Sequence, residues 1–162
     1  MKIAICPGSF DPITLGHLNI IRRASRIFDH VIVCVMVNSG KRPMFNLNER
    51  VELVRRVTER FPNVEADTSD ILLAEYARQR GASVILKGLR AVSDFEREFQ
   101  LANINKKVNP DLDTVFLTAS EKYTYLSSSV VREMAQYGAN LREFVPHEII
   151  ADIIEKTKSR RD

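Results

Sequence analysis

Residues 7–17 combine several residue types that proteins use to bind phosphate groups. Gly8 allows the backbone to approach a ligand closely, and Ser9 adds a hydroxyl and an N–H group. His17 falls in the first turn of a predicted helix, where free N–H groups and the helix dipole favour anions. Because that helix end disfavours a positive imidazole, we expect His17 to be charged only beside a phosphate. A histidine in isolation is usually an incidental surface residue, but this loop follows a predicted strand, which favours a functional role.

Two further segments place cations at the ends of predicted strands. Lys87 ends a strand that is otherwise apolar, Gly88 is expected to give a sharp exit, and Arg90 can bind two phosphate oxygens at once. Lys41 and Arg42 follow another strand, although an ordinary polar loop would have the same composition. These loops would bring positive charge to one edge of a sheet.

Three consecutive serines, Ser127 to Ser129, precede another predicted helix. One of them is expected to cap the helix by accepting a hydrogen bond from a free backbone N–H. The other hydroxyls and the remaining N–H groups would form an anion-binding cradle. Arg132 lies three residues beyond Ser129 and would project from the same helical face.

Other kinds of active site lack support in the sequence. It contains no paired-carboxylate motif and no G-x-S-x-G, H-E-x-x-H or C-x-x-C pattern. It also lacks the Walker A and G-x-G-x-x-G patterns, which excludes P-loop proteins and the usual dinucleotide-binding proteins. The residue types in these loops suit a polyphosphate ligand and include no obvious general acid or general base.

The elements that would position these residues alternate along the chain. Short apolar runs, typical of strands buried on both faces, predict five strands, and helical periodicity predicts six helices. The predicted strands are 2–6, 31–37, 63–67, 83–87 and 114–118. The predicted helices are 15–28, one behind a capping box at Asn46 and Glu49, 71–80, 94–108, 127–137 and 146–158. This order predicts an α/β fold, a doubly wound five-stranded parallel sheet with helices on both faces and ligands at the carboxyl ends of its strands.

Length and composition bound the remaining possibilities. The 162 residues predict a single domain, 1–162, with a hydrophobic core of its own. The net charge of +3 fits a small anionic ligand as well as nucleic acid. Two cysteines in apolar runs indicate buried thiols rather than a disulfide framework. With no signal-like or membrane-spanning stretch, we expect a soluble, cytoplasmic protein.

Parts of the sequence resemble the signatures of a known superfamily. The stretch GSFDPITLGH at 8–17 resembles the T/H-x-G-H signature of the nucleotidyltransferases, and LSSSVVR at 126–132 resembles their I-S-S-T-x-x-R signature. With KGLR at 87–90 and Lys41 where it stands, nearly the whole chain is similar to the bacterial phosphopantetheine adenylyltransferase family. The resemblance implies a Rossmann-like fold and magnesium-dependent transfer of the adenylyl group of ATP to 4′-phosphopantetheine, in coenzyme A biosynthesis. It also implies a cytoplasmic homohexamer.

The resemblance further implies roles for individual residues. His17, Lys41 and Arg90 would act in catalysis, with His17 stabilising the transition state. The residues implied to bind phosphopantetheine are Ser9, Lys41, Leu73 and Lys87. The residues implied to bind ATP are Ser9, Phe10, His17, Gly88, Leu89, Arg90, Glu98, Tyr123, Thr124, Tyr125, Leu126, Ser127, Ser128 and Ser129. Leu73 and Glu98 would pass for ordinary helix residues without the resemblance.

Small departures from the family pattern keep the groups that the reaction needs. Ser9 stands where many members have threonine, and Lys87 stands where some have arginine, so the hydroxyl and the positive charge remain. Leu126 and Ser129 replace the isoleucine and threonine of the second signature. Magnesium is expected to be held mainly by phosphate oxygens and water, which requires few protein carboxylates.

Three alternatives remain open on the sequence. A sister enzyme acting on nicotinate mononucleotide, or a small cytidylyltransferase, would share the site, but those enzymes usually show H-x-G-H, and Thr14 stands in the first position here. A non-catalytic ATP-binding module would need the crevice but not Lys41 and Lys87. A nucleic-acid binder would use the positive charge, but the cations form no stripe with interleaved aromatic residues. We therefore expect neither nucleic acid nor membrane as a partner.

Overall fold

The computed structural model describes residues 1–37, 40 and 42–161. Within these residues, five parallel strands form one sheet: β1 (Ile3–Gly8), β2 (His30–Met36), β3 (Val64–Ser69), β4 (Val84–Leu89) and β5 (Asp113–Thr118). The α-helices are α1 (Leu15–Ile27), α2 (Leu47–Thr58), α3 (Leu73–Gln79), α4 (Val92–Val108), α5 (Ser128–Gln136) and α6 (Ile150–Ser159). Short 3₁₀ helices precede α5 and α6. This order of elements confirms the predicted α/β fold.

The strand order in the sheet is β3-β2-β1-β4-β5. From β1 the chain first builds the sheet outward through β2 and β3, then returns to place β4 on the other side of β1. Ala4 pairs with Val84 and Ile5 with Ile85 across that junction. In sheets of this kind the reversal of strand order opens a crevice at the carboxyl ends of the two strands, and ligands bind there.

Alternate residues of the central strands pack against opposite layers of helices. Ala4 and Cys6 of β1 share a cluster with Ala24 of α1, whereas Ile5 shares one with Ala77 of α3. β1 and β2 are therefore covered on both faces, as their apolar runs predict. The same prediction is wrong for β3 and β5, whose residues are mostly half-buried or exposed because both strands lie at the edges of the sheet.

The fourth strand runs further than predicted. β4 includes Lys87 and continues to Leu89, with Gly88 paired to Leu117 of β5. The expectation that Gly88 gives a sharp exit from the strand is therefore wrong. The glycine instead permits close packing, because a Cβ atom there would lie 3.0 Å from Cγ1 of Ile20 on α1.

Local capping fixes the ends of several helices. Asn46 and Glu49 form the predicted capping box at the start of α2. Ser127 caps α5 by accepting a hydrogen bond from the N–H of Val130. Gly81 and Gly138 follow α3 and α5 with φ values of +63° and +72°, a region that glycine enters without strain. Both terminations agree with the sequence prediction.

Both thiols are enclosed in the core, as predicted. Cys6 and Cys34 are free and buried. Burial raises the pKa of Cys6 to about 12 and that of Cys34 to about 11, so both remain protonated and unreactive near neutral pH. Among the helices of the described residues, none has the length and apolar character needed to cross a membrane.

Candidate active site

A cavity of about 400 Å³ opens at the carboxyl ends of β1 and β4, where the strand order reverses. Its walls come from the β1–α1 loop, the start of α1, the end of β4, the first turns of α4 and the start of α5. The residues in this cavity that the sequence analysis selects are Phe10, His17, Lys87, Gly88, Arg90, Glu98, Tyr123, Leu126, Ser127 and Ser128. Segments more than 100 residues apart in the sequence therefore meet at one site.

His17 is held at the start of α1 by reciprocal hydrogen bonds with Thr14. The backbone N–H of His17 donates to Oγ1 of Thr14 over 3.2 Å, and the backbone N–H of Thr14 donates to Nδ1 of His17 over 3.0 Å. Because a backbone N–H can only donate, Nδ1 must carry a lone pair rather than a proton. In the neutral ring the proton is consequently on Nε2, which leaves Nε2–H as the donor available to a ligand.

The surroundings of His17 keep its ring neutral. Burial lowers the pKa of His17, and the nearby positive charges of Arg90 and Lys87 lower it further, to about 4. At neutral pH the imidazole therefore enters the cavity uncharged. The neutral ring agrees with the sequence expectation, but burial rather than the helix end is the main cause, and the effect of a neighbouring phosphate stays a prediction.

Phe10 packs against the His17 ring from the β1–α1 loop. The two rings meet edge to face with centroids 5.0 Å apart. Phe10 is buried and has a φ of +47°, a left-handed conformation that bulky residues rarely adopt. Gly8 provides the space that this ring needs, because a Cβ atom on Gly8 would lie 3.1 Å from two of its carbons.

Asp11 ties the same loop to the segment before α2. Its buried carboxylate accepts hydrogen bonds from the backbone N–H groups of Met44 (2.8 Å) and Phe45 (2.9 Å). Arg132 of α5 donates to the backbone oxygen of Asp11 over 2.7 Å. Both carboxylate oxygens thus have protein partners, and the loop is anchored from two directions.

Lys87 and Arg90 bring positive charge to the cavity from β4 and the turn after it. The ammonium group of Lys87 lies 3.3 Å from the carboxylate of Glu98 on α4. Arg90 donates to the backbone oxygen of Leu126 over 3.1 Å, and its Nε lies 3.5 Å from the carboxylate of Asp94. Arg90 therefore links the start of α4 to the loop before α5.

The serines at the start of α5 have separate partners. Ser127 provides the predicted cap, and Ser128 donates to the backbone oxygen of Pro12 over 2.7 Å. Arg132 donates to Oγ of Ser129 over 3.1 Å, which confirms that the two side chains share a face. The oxygens of Ser128 and Ser129 retain lone pairs, and a hydroxyl that donates can also accept.

A second recess of about 230 Å³ adjoins the cavity and shares Ser128 with it. Ser9 and Ser129 line this recess rather than the main cavity. Three arginines also line it: Arg42, Arg50 and Arg132. The recess is therefore rich in cationic donors suited to phosphate oxygens.

A sequence model of the cytidylyltransferase-like family matches residues 5–134, from β1 into α5. The chain belongs to the cytidylyltransferase-like family. The match includes both signature-like segments, 8–17 and 126–132, and the cavity described above lies between them. It confirms the resemblance to nucleotidyltransferases.

Relatives of this cytidylyltransferase-like protein match it over almost its full length. The phosphopantetheine adenylyltransferase of Caldanaerobacter subterraneus subsp. tengcongensis is 55% identical over 158 residues, which cover 98% of this chain and 99% of that protein. The phosphopantetheine adenylyltransferase of Alkaliphilus metalliredigens is 52% identical and covers 97% and 100% of the two chains. These matches confirm the narrower family resemblance that the sequence analysis identifies.

A solved structure with lower sequence identity to this chain has the same fold. The crystal structure of a Vibrio parahaemolyticus protein assigned as a nicotinate-nucleotide adenylyltransferase superposes with a TM-score of 0.69 and 19% identity. The match covers 97% of this chain and 95% of that one. At this identity it bears on the fold alone.

Some of the selected residues of this cytidylyltransferase-like chain lie away from the main cavity. Leu73 begins α3, is half-buried and packs against the cluster that contains Ile5. Thr124 is exposed and donates to a backbone oxygen within its own turn. Tyr125 is also exposed and meets Phe144 edge to face. Leu89 is half-buried and does not line the cavity either. Lys41 lies outside the described residues. Their roles remain predictions.

The structure also places in the site residues to which the sequence gives no role. Thr14, Asp94 and Arg97 line the cavity, and Asp11 and Arg50 lie beside it in the arginine-lined recess. A Thr-x-x-His sequence at a helix start could have indicated the Thr14–His17 pairing, because it has the spacing of a capping box. No local pattern indicates Asp11, whose partners lie 33 and 34 residues away.

Proposed function

We propose that the protein transfers the adenylyl group of ATP to 4′-phosphopantetheine and releases dephospho-coenzyme A and pyrophosphate, as a step of coenzyme A biosynthesis. The names and near-full coverage of its relatives support this reaction. The single observation that carries it is the hydrogen bond from the Thr14 N–H to Nδ1 of His17, which leaves Nε2–H as the donor of a ring that lines the cavity with Lys87 and Arg90. This arrangement suits a phosphorus centre on which negative charge develops.

The chemistry requires positioning and charge stabilisation more than proton transfer. A phosphate oxygen of phosphopantetheine forms a bond to the α-phosphorus of ATP, and the bond from that phosphorus to the β-phosphate oxygen breaks. The attacking phosphate monoester has a second pKa near 6, so it is already largely a dianion at neutral pH and needs no general base. Bringing two polyanions together in line is then the main task of the protein.

The proposed roles follow from where each donor lies. Nε2–H of His17 would donate to a non-bridging oxygen of the α-phosphate, a hydrogen bond that strengthens as charge builds up in the transition state. Arg90 and the N–H groups at the start of α5 would bind the ATP phosphates. Lys87 would bind phosphopantetheine; the same role for Lys41 and Leu73 rests on the resemblance to the family alone. The recess that adjoins the cavity would receive oxygens of the departing pyrophosphate through Arg42 and Arg132.

Magnesium would enter as part of the substrate, bound to ATP. No cluster of three or more histidine, cysteine, aspartate or glutamate side chains suited to a metal occurs in the described ranges 1–37, 40 and 42–161. The carboxylate of Asp11 already accepts two backbone hydrogen bonds. The donors present therefore suit a cation coordinated by phosphate oxygens and water, which balances charge on the ATP phosphates when bound.

The proposal includes assembly into a homohexamer through α4. Within the described residues, none of the side chains of α4 is buried, although the helix is rich in apolar residues. Val92 is 82% exposed, Phe99 is 53% exposed and Ile104 is 51% exposed. Apolar side chains exposed to this extent are normally covered by a partner, and a second copy of the chain would cover them here.

A cytoplasmic location forms part of the same proposal. Cys6 and Cys34 are free thiols and lie in different clusters of the core, an arrangement that suits a reducing compartment.

The reaction is tested by measuring pyrophosphate release from ATP and magnesium with different acceptors. Release with phosphopantetheine, but not with nicotinate mononucleotide or without an acceptor, is the expected result. Release with nicotinate mononucleotide alone would keep the ATP site and overturn the assignment of Lys41, Leu73 and Lys87. ATP binding without release in any mixture would favour a non-catalytic binding module.

A further inference from the structure

Arg50, in the first turn of α2, is a buried cation with an unusual set of partners. It is 4% exposed, and its guanidinium donates to three backbone oxygens: those of Phe45 (3.1 Å), Ser9 (2.8 Å) and Met36 (3.2 Å). Among the described side chains, no carboxylate lies within ion-pair distance of it. Buried charges are normally paired with an opposite charge, and the first turn of a helix disfavours cations. Stability alone is a poor explanation for an arginine in this position.

The three oxygens belong to three different parts of the site. Ser9 lies in the β1–α1 loop, Met36 ends β2, and Phe45 precedes the cap of α2. The planar fork of an arginine side chain can hold several acceptors in fixed directions, which a lysine ammonium cannot do. Arg50 therefore fixes the β1–α1 loop relative to the sheet and to α2 through directional bonds.

The bond from Arg50 to Ser9 also constrains the peptide unit that leads into Phe10. The peptide unit between Ser9 and Phe10 is planar, so fixing the oxygen of Ser9 also fixes the direction of the Phe10 N–H. Phe10 has a φ of +47°, and non-glycine residues keep such values only when their surroundings enforce them. Its ring in turn packs against the ring of His17, with centroids 5.0 Å apart.

We propose that Arg50 is a positioning residue for adenylyl transfer, which holds the Ser9–Phe10 peptide in the left-handed turn and thereby fixes the His17 ring in the cavity. The inference rests on the proposed function, because the turnover that it explains is the transfer from ATP. Arg50 acts through Phe10 and needs no contact with a substrate.

The test compares Arg50→Lys and Arg50→Met with two control variants, Arg55→Lys and Arg55→Met, in the full chain. Arg55 lies on the same helix, but its side chain is exposed and hydrogen-bonds to Glu52. We expect both Arg50 variants to lower kcat by about 10- to 100-fold, as for a catalytic group misplaced by about 1 Å, with KM values for both substrates changed less than about threefold. The Arg55 variants should match the wild type.

A second readout does not depend on activity. Nuclear magnetic resonance of the ligand-free protein should show a shifted Phe10 amide and shifted His17 ring signals in both Arg50 variants, and unchanged signals in the Arg55 variants. If the wild type has no transferase activity, the proposed function fails while this readout still tests the positioning.

Several results would overturn the inference. A folded Arg50→Lys variant with wild-type kcat and an unshifted Phe10 amide would do so, as would a change confined to KM. Failure of both Arg50 variants to fold would assign the residue to stability instead of positioning.

Discussion

The backbone N–H of Thr14 donates to Nδ1 of His17 across 3.0 Å, and this bond determines which nitrogen of the ring faces the cavity as a donor. It uses a capping arrangement, with histidine in the position where glutamate or glutamine usually stands. The cap that begins α1 therefore also sets the tautomer of the residue proposed to stabilise the transition state.

The free energy of unfolding should fall as the pH drops from about 6.5 to about 4. In the folded state burial and the positive charges of Arg90 and Lys87 lower the pKa of His17 to about 4, whereas the unfolded chain has the ordinary value of 6.5, so between these values the unfolded state binds more protons. The stability that neutral His17 contributes is complete above pH 6.5 and is lost as the pH falls through 4. The loss is on the order of 3 kcal/mol. Urea denaturation at several pH values measures the loss.

The variant His17→Gln is the matched control for that measurement. Glutamine occupies the same capping position without titrating, so the Thr14 bond should survive. The difference between wild type and variant isolates the histidine from the acidic residues that titrate at lower pH. Equal slopes of stability against pH in the two proteins would contradict the lowered pKa.

Replacing His17 should separate its donor role from its role in the helix cap. His17→Ala removes the Nε2–H donor and should lower kcat by about 10²- to 10³-fold, the usual effect of losing one donor to a developing oxyanion. His17→Gln keeps an N–H donor and should lose less. Steady-state kinetics with saturating ATP and phosphopantetheine provides the comparison. Full turnover by His17→Ala would remove this residue from the mechanism.

Removing the charge of Lys87 should weaken phosphopantetheine binding more than ATP binding. A hydrogen bond to a charged group contributes about 1.5–3 kcal/mol, so Lys87→Met should raise the KM for phosphopantetheine by about 10- to 100-fold. Lys87→Arg keeps the charge and should behave almost like the wild type. Initial rates measured over a grid of both substrate concentrations test this. Equal increases of both KM values would contradict the assignment.

Gly88→Ala should destabilise the protein through Ile20. The added Cβ would lie 3.0 Å from Cγ1 of Ile20, and overpacking of this kind costs about 1–3 kcal/mol. Ile20→Ala removes the atoms in conflict, so the double variant should be more stable than the sum of the single effects predicts. Urea denaturation of the four proteins measures the coupling. Additive changes would show that the close approach is not the reason for the glycine.

Phe99→Glu should break the proposed hexamer into smaller species. A carboxylate in place of Phe99 on α4 would have to be buried in the contact between copies, which is unfavourable without a partner charge. Tyr137→Glu is the control, because Tyr137 is an exposed aromatic residue on a different part of the surface. Light scattering after size-exclusion chromatography gives the masses. A monomeric wild type, or a hexameric Phe99→Glu variant, would contradict the assembly.

The sequence predicts the elements and the site loops well because both depend on local signals. Runs of Val and Ile indicate the central strands, and Gly81 and Gly138 end their helices as expected. The extension of β4 through Gly88 has no local signal, because a glycine usually marks a turn, whereas here its role depends on Ile20, 68 positions earlier.

The residues that hold the site loops in place are harder to predict from the sequence than the residues that line the site. Phosphate-binding residue types indicate His17, Lys87 and Arg90 directly. Asp11 and Arg50 contribute through backbone groups of distant segments, and any residue type can provide a backbone oxygen or N–H. Such partners leave no pattern in the sequence, so the contacts became apparent only in the folded chain.

Isotopic labelling tests the central claim most directly. Phosphopantetheine with ¹⁸O in its terminal phosphate is incubated with the enzyme, ATP and magnesium, and the products are analysed by mass spectrometry. Direct attack of that phosphate on the α-phosphorus predicts that dephospho-coenzyme A carries all of the label and that pyrophosphate carries none. Label in pyrophosphate, or no dephospho-coenzyme A despite consumption of ATP, would contradict the account.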